Sequence, residues 1–294
     1  AVASNTTSRD RPAPAVPGAS WVWLSIPIAL LGVVAAGSGI LFDSVYQRDT
    51  EHFGVQGMSQ DYVTLLVAVP AVLVLGWLAY RGSFAARLMW HGVVFYFAYT
   101  YTIAVFMVRF NALFLVYTSL LACSLFALLG GFVRLGWPID PARFGDRWPR
   151  RGVMAFLSFA VVMFAMLWLS DIIPAIIDGV EPQSLAETGT PTNGVEVLDL
   201  SLIIPGSVLI AFWVSKRESR GYVLATGLIT FIVMLGLALV AMVIGLWAAD
   251  LTSGLAVSVV FLLFAGIATG LLVAIARSMS GLPDDAATPS PLST

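Results

Sequence analysis

Four acidic residues lie at or just inside the ends of apolar stretches that carry few other charges. Asp61, Asp171, Glu196 and Asp199 all fall on the same side of a membrane if each apolar stretch spans it once. A carboxylate at membrane depth is costly unless it faces the interior of a helix bundle, water or a partner group. The pattern therefore indicates an outward-facing site for a cation or proton, or a polar pocket that binds a small solute.

Asp171 is the strongest candidate of the four. It lies one turn inside the C-terminal end of a predicted helix, where negative charge is unfavourable. Asp61, Glu196 and Asp199 open predicted helices, where they could also serve as simple caps that match the helix dipole. Glu196 and Asp199 are three residues apart, so their carboxylates lie on one helix face. Asp171 and Asp199 are the deepest of the four, and we expect them to matter most for binding.

Basic and hydroxyl side chains could complete such a site. Arg109 is predicted to lie in a short turn on the same side, where it could pair with one of the acids and hold helix ends together. Tyr96 and Tyr99 share one face of a predicted helix, and tyrosine hydroxyls at membrane depth need acceptors. We therefore expect this helix to form one wall of a polar cavity.

Two prolines are predicted to interrupt helices near the middle of the membrane. Pro70 and Pro205 each follow an acid, Asp61 or Glu196, by nine residues, which is about 14 Å of helix. Proline frees a backbone carbonyl, and helix breaks at corresponding positions of two halves mark the binding site in transporters built from repeats. The alternative is a pair of simple kinks that the surrounding structure satisfies locally.

The elements that position these residues are membrane-spanning helices. The chain has 294 residues, of which 59% are hydrophobic and only 11% charged, and its mean hydropathy is +0.91. A water-soluble protein of this size does not reach that balance. Apolar stretches of about 18 residues or more predict an all-α fold of eight spans. They are 20–42, 61–80, 88–108, 113–133, 153–177, 196–214, 222–248 and 255–276.

The basic residues predict the orientation of these spans. If both termini are cytoplasmic, only Arg48 and Arg109 of the 15 Lys and Arg residues fall outside. Cytoplasmic loops accumulate positive charge, so we predict that both termini are cytoplasmic in a bacterial inner membrane. Residues 1–19 and 278–294 are polar and rich in small residues and proline, and we predict that they are disordered tails.

A shift of 135 residues superposes the first half of the chain on the second without a gap through three spans. Acid, mid-helix proline, basic turn and helix glycine then coincide. The matched pairs are Asp43 with Asp178, Asp61 with Glu196, Pro70 with Pro205, Arg81 with Lys216 and Gly92 with Gly227. We predict two parallel four-helix repeats, 20–134 and 153–277, related by an axis along the membrane normal. Chance similarity between apolar helices is the alternative.

The sequence lacks the motifs of common cofactors. It contains no glycine-rich nucleotide loop, no nucleophile elbow and no zinc-binding His-Glu helix motif. One cysteine and two widely spaced histidines do not provide a thiolate cluster or a multi-histidine metal site. We therefore expect neither cofactor nor metal, and no nucleic-acid partner.

The stretch from Asp61 to Gly131, with DYVTLLVAVPAVLVLGWLAYRGS and WHGVVFYFAYTY, resembles a group of bacterial multi-pass membrane proteins of unknown activity. The string VLDLSLIIPGSVLIAFWVSKRESRGYVLA fits the same group. The resemblance implies a bacterial inner-membrane setting and no particular activity.

Three functions remain open from the sequence. The first is a transporter or solute-binding membrane module with an outward-facing pocket of acids and tyrosines. The second is a non-catalytic subunit of a membrane complex, or a homo-oligomer, for which no catalytic group is needed. The third is an enzyme at the outer leaflet, which requires Asp171, Glu196 and Asp199 to converge on one cavity. The lipid bilayer is a partner in all three, and the first adds an unknown small molecule or ion.

Overall fold

A computed structural model describes residues 19–251 and 255–279 of the chain. Within these residues every regular element is a helix, and eight helices are long and apolar enough to span a membrane. The predicted all-α, eight-span membrane fold is confirmed. The tails predicted at 1–19 and 278–294 lie outside the described residues, apart from residues 19, 278 and 279, which belong to helical segments.

The described residues form nine α-helices, one of them short, besides short 3₁₀ segments. The spans are α1 (Ser25–Leu41, after a 3₁₀ segment at Ala19–Leu24), α2 (Glu51–Tyr80), α3 (Phe84–Met107), α4 (Phe114–Val133), α5 (Arg150–Asp178), α7 (Gly194–Ser215), α8 (Ser219–Ala248) and α9 (Leu255–Met279). The short helix α6 (Gln183–Thr188) lies between the fifth and sixth spans. We call the membrane side on which α1 begins the proximal side and the opposite side the distal side.

The second span begins earlier than the sequence predicts. Helix α2 starts at Glu51, where the Thr50 side chain caps it by accepting a hydrogen bond from the amide of Phe53 at 3.2 Å. Asp61 therefore lies ten residues inside a helix and is not its cap. The first part of α2 packs against α1 and α8 inside the bundle and lines a cavity, so it does not need an apolar sequence. For this reason hydropathy did not predict that the span begins there.

Two helices form the centre of the bundle. Spans α3 and α8 are the most buried of the eight, and they pack against each other. They meet at two glycines: a Cβ atom on Gly92 would lie 2.3 Å from the carbonyl oxygen of Gly227 and 2.5 Å from Cβ of Thr230. Close approach of helix backbones at small residues is the usual way in which membrane helices gain packing energy.

The other spans surround this pair and present apolar side chains outward. Large exposed residues such as Leu30, Leu66, Ile177 and Leu263 cover the outer faces of four different helices. On a water-soluble monomer, apolar exposure of this extent would be rare. These faces contact the lipid bilayer.

Each predicted proline break is a short π-helical segment. Thr64–Ala68 in α2 and Asp199–Ile203 in α7 form wider turns, and each ends two residues before its proline. The amide of Val69 donates to the carbonyl of Thr64, five residues earlier, and the amide of Ile204 donates to Asp199 in the same way. Proline lacks an amide hydrogen and clashes with the carbonyl four residues before it, which explains why the turn widens there. The two segments start 135 residues apart.

Candidate functional site

A cavity of about 240 Å³ lies in the distal part of the bundle. Its walls come mainly from α2, α3, α5, α7 and α8, and α4, α6, α9 and the loop that contains Tyr46 also contribute to the lining. Most of the lining is apolar or aromatic, and it includes the buried acids Asp61 and Asp199. The site therefore combines two carboxyl groups with largely apolar walls.

Asp199 joins three helices at this cavity. The side chain is only 4% exposed, and both of its carboxyl oxygens accept hydrogen bonds. Tyr99 on α3 donates its hydroxyl to Oδ1 at 2.8 Å, and Trp168 on α5 donates its indole Nε1 to Oδ2 at 2.9 Å. Asp199 is also the first residue of the π-helical segment of α7. It precedes the end of that span by 16 residues, about 24 Å, which is less than the ~30 Å thickness of a hydrocarbon layer.

Asp61 lies in a second polar pair that also reaches the cavity. Tyr46 donates its hydroxyl to Oδ2 of Asp61 at 2.7 Å. Burial, and then the neighbouring Asp61, raise the pKa of Tyr46 well above its usual range, so the phenol keeps its proton and remains a donor. Two glycines make room for the pair. A Cβ atom on Gly39 would lie 1.9 Å from Oδ2 of Asp61, and one on Gly57 would lie 2.7 Å from the ring of Tyr46.

A polar strip connects α2 and α3 beside these acids. The hydroxyls of Tyr96 and Thr64 lie 2.9 Å apart, and Gln60 donates to the hydroxyl of Thr100 at 2.9 Å. Tyr96 is fully buried and is not part of the cavity lining, whereas Tyr99 is. The two tyrosines predicted to share a helix face thus have different roles: Tyr96 holds α2 to α3, and Tyr99 contacts a cavity acid.

Glu196 is buried but does not line the cavity. Asn193 caps α7 by accepting a hydrogen bond from the amide of Val195 at 3.0 Å, and its Nδ2 donates to Oε1 of Glu196 at 3.1 Å. Glu196 therefore belongs to the first turn of α7, where a carboxylate suits the positive end of the helix dipole.

Asp171 does not line the cavity. Its two carboxyl oxygens accept hydrogen bonds from the amides of Gln183 and Ser184, each at 3.1 Å. These are the first two residues of α6, so the carboxylate caps this short helix from another part of the chain. Asp171, Glu196 and Asp199 consequently do not converge on one cavity.

Arg109 contacts the distal loops and none of the four candidate acids. Its backbone amide donates to Oδ1 of Asp49 at 2.9 Å, and its Nη2 donates to the carbonyl of Gly189 at 3.4 Å. Partial burial raises the pKa of the Asp49 carboxyl in spite of this hydrogen bond, which lowers it. Arg109 thus fastens the loop after α3 to the loops before α2 and after α6.

Pro70 and Pro205 face outward and do not line the cavity. Their effect on the site is indirect, because the turns that they widen lie next to the acids. Asp199 begins one of these π-helical segments, and Asp61 lies three residues before the other.

Tyr46 and Trp168 donate the hydrogen bonds that hold the two cavity acids, and neither was predicted from the sequence. Trp168 lies in the middle of the apolar span α5, where an indole N–H needs an acceptor from another helix, and this was the available signal. Tyr46 offered no comparable signal, because a tyrosine in a loop at the membrane surface is ordinary.

The site offers hydroxyl and indole donors to its acids, and no basic side chain. None of the residues that line the cavity is Lys, Arg or His, and among the described residues no group of three or more His, Cys, Asp or Glu side chains could hold a metal ion. The carboxyl groups of the site can therefore bind a cation or a proton.

Comparison with known protein families, with curated proteins and with solved structures found no match to this chain.

Proposed function

We propose that this integral membrane protein binds a small solute in the distal cavity and carries it across the membrane. One observation carries the proposal: Asp61 and Asp199 are buried beside an open volume at membrane depth and have only neutral hydrogen-bond donors. Burial of a carboxylate away from basic partners lowers stability, so such groups usually mark a substrate or ion path.

The architecture supports transport over a purely structural role. In a helix bundle with a purely structural role, an internal cavity would only lower stability, because the side chains around an unfilled space lose packing contacts. The cavity lies between helices that meet around the central pair α3 and α8, and π-helical turns occur in two of the spans that line it, α2 and α7. Such turns are common at functional sites.

The experiment is a stabilisation screen on the purified full-length chain in detergent, followed by flux into liposomes. Small amines, neutral alcohols and sugars, carboxylates, Na⁺ and K⁺ are added singly, and the thermal unfolding midpoint is measured. A ligand at 100 times its dissociation constant stabilises the folded state by about 2.7 kcal/mol. We expect one solute class to stabilise the wild type and to enter liposomes that contain the protein.

Matched variants locate the effect in the cavity. Asp199→Asn and Asp61→Asn keep side-chain size and remove the charge, whereas Asp178→Asn makes the same change at an exposed position outside the cavity. We expect the first two variants to lose stabilisation and flux, and the third to behave as the wild type. Stabilisation by no class, or an effect that persists in both cavity variants, would refute the proposal.

A further inference from the structure

The distal cavity is lined by acidic side chains and by no basic one. The acidic residues are Asp61, Asp199 and Glu187. Glu187 has His52 nearby at 3.9 Å, whereas Asp61 and Asp199 have only uncharged donors. An anionic solute would enter against these carboxyl groups without a basic group to receive it, so the electrostatics favour a positively charged solute.

The remaining walls favour a cation of a particular kind. Tyr99, Tyr101, Tyr117 and Trp168 line the cavity, together with three phenylalanines. Aromatic rings attract cations through the negative faces of their π systems, and the attraction is strongest where water is excluded. Cages of this composition are the usual receptors for alkylammonium groups.

The size and the ligand chemistry argue against a metal ion. The cavity volume of about 240 Å³ lies just below the range of drug-sized sites. Ca²⁺ takes about six to eight oxygen ligands at short range, and the described residues contain no group of three or more acidic, histidine or cysteine side chains that could hold a metal ion. A compact organic cation fits the space and can use both carboxylate and ring.

We infer that the solute is a small organic cation, a protonated amine or quaternary ammonium compound, held between the Asp199 carboxylate and the surrounding aromatic rings. The inference rests on the proposed solute-binding function and adds the chemical class of the solute. Tyr99 and Trp168 then have two tasks, because each donates a hydrogen bond to Asp199 and also presents its ring to the cavity.

The decisive experiment compares cations with uncharged molecules of the same shape. Binding to the purified wild-type chain is measured by equilibrium dialysis for tetramethylammonium, choline and butylamine, each at millimolar concentrations. The neutral counterpart of choline is 3,3-dimethylbutan-1-ol, in which carbon replaces the ammonium nitrogen. That of butylamine is butan-1-ol, in which a hydroxyl replaces the ammonium group, and that of tetramethylammonium is tert-butanol. We expect at least one of these cations to bind at least about ten-fold more tightly than its neutral counterpart.

Variants then separate the contributions of charge and ring. We expect Asp199→Asn to abolish binding of the cation, Trp168→Phe to weaken it slightly and Trp168→Leu to weaken it about ten-fold more than Trp168→Phe does. Both Trp168 variants lose the indole hydrogen bond to Asp199, but only Trp168→Phe keeps an aromatic ring. The difference in affinity between Trp168→Phe and Trp168→Leu therefore measures the aromatic contact alone. Size-exclusion chromatography identifies any variant that has not folded, and the comparison of isosteres on the wild type does not depend on the variants.

The outcomes distinguish this inference from the proposed function. If no cation of the series binds, or if the neutral isostere binds as tightly, the assignment of an organic cation is wrong. If Na⁺, K⁺ or a neutral solute stabilises the protein in an Asp199-dependent way, solute binding stands and only the class of solute is overturned. If no solute of any class acts through Asp199 or Asp61, both fail.

Discussion

Because Gly39 packs closely against Asp61, we predict that adding a single methyl group at residue 39 destabilises the protein. A Cβ atom at Gly39 would lie 1.9 Å from Oδ2 of Asp61, whereas ordinary van der Waals contact begins at 3.4 Å. In Gly39→Ala the carboxylate must therefore move by about 1.5 Å. A displacement of this size is enough to break its 2.7 Å hydrogen bond with Tyr46.

Gly37→Ala is a matched control on the same helix. A Cβ atom at Gly37 would meet nothing within 4 Å. Both substitutions bring the same gain in helix propensity, up to about 1 kcal/mol, which cancels in the comparison. Loss of a buried hydrogen bond to a carboxyl group costs about 1–3 kcal/mol. We therefore expect Gly39→Ala to be about 2 kcal/mol less stable than Gly37→Ala, a factor of about 30 in the unfolding equilibrium.

The assay is reversible unfolding by SDS in mixed micelles, followed by tryptophan fluorescence. A double-mutant cycle with Asp61→Ala tests the cause, because the methyl group at residue 39 has no carboxylate to displace once Asp61 is removed. We expect the Gly39→Ala penalty to shrink to below about 0.5 kcal/mol in the Asp61→Ala background. Equal stabilities of Gly39→Ala and Gly37→Ala, or a penalty that persists without Asp61, would refute this reasoning.

Three further predictions concern the packing and the distal loops. Gly92→Ala should lower the unfolding free energy by about 1–3 kcal/mol in the same SDS assay, because its Cβ would meet backbone, whereas Gly227→Ala, whose Cβ would have ordinary contacts of 3.7 Å or more, should not. Asp171→Ala should speed hydrogen exchange at the start of α6, since a lost cap costs about 1 kcal/mol there, and leave solute binding unchanged. The raised pKa of Asp49 stabilises the fold at low pH, and this contribution is lost as pH rises from about 4 through the folded-state value. In Asp49→Asn, the free energy of unfolding should therefore fall less steeply as pH rises than it does in the wild type. If the fall is not reduced, Asp49 does not cause it.

The spans could be predicted because lipid requires long apolar helices, and the sequence shows them directly. The first ten residues of α2 could not be predicted in this way. Gln56, Gly57, Ser59 and Gln60 lower the hydropathy there, yet they lie inside the bundle or beside the cavity and need no contact with lipid. Hydropathy detects helices by the apolar residues that face lipid. It therefore underestimates the length of a helix whose polar residues face the interior of the bundle.

The acids of the site were predictable in kind but not in arrangement. Asp199 and Tyr99 were expected to face a polar cavity; both line the distal cavity, whose walls are mostly apolar or aromatic. Asp171 was ranked first on helix-dipole grounds, but the sequence does not show that a second helix, α6, begins where its carboxylate lies. Contacts of this kind depend on how distant segments fold together, and local sequence carries little information about them.

The division into two repeats stays a prediction. Two observations support it: the π-helical segments that begin at Thr64 and Asp199 are 135 residues apart, and Gly92 and Gly227, which have the same separation, touch each other. Contact between equivalent residues is what a two-fold axis between similar halves would produce. The cytoplasmic location of both termini also stays a prediction, and labelling of single cysteines from either side of the membrane would test it.

The contact between Gly92 and Gly227 also has a mechanical consequence. Because the backbone of Gly227 and the Cβ atom of Thr230 lie directly against Gly92, a rotation of α3 relative to α8 would pivot at this contact. Ala104, in the cavity lining, lies 12 residues from Gly92 along α3, an arm of about 18 Å. A turn of about 10° at the glycines would move that end by about 3 Å, roughly the width of a water molecule. A small rotation of α3 about the glycine contact would therefore be magnified at the lining of the distal cavity.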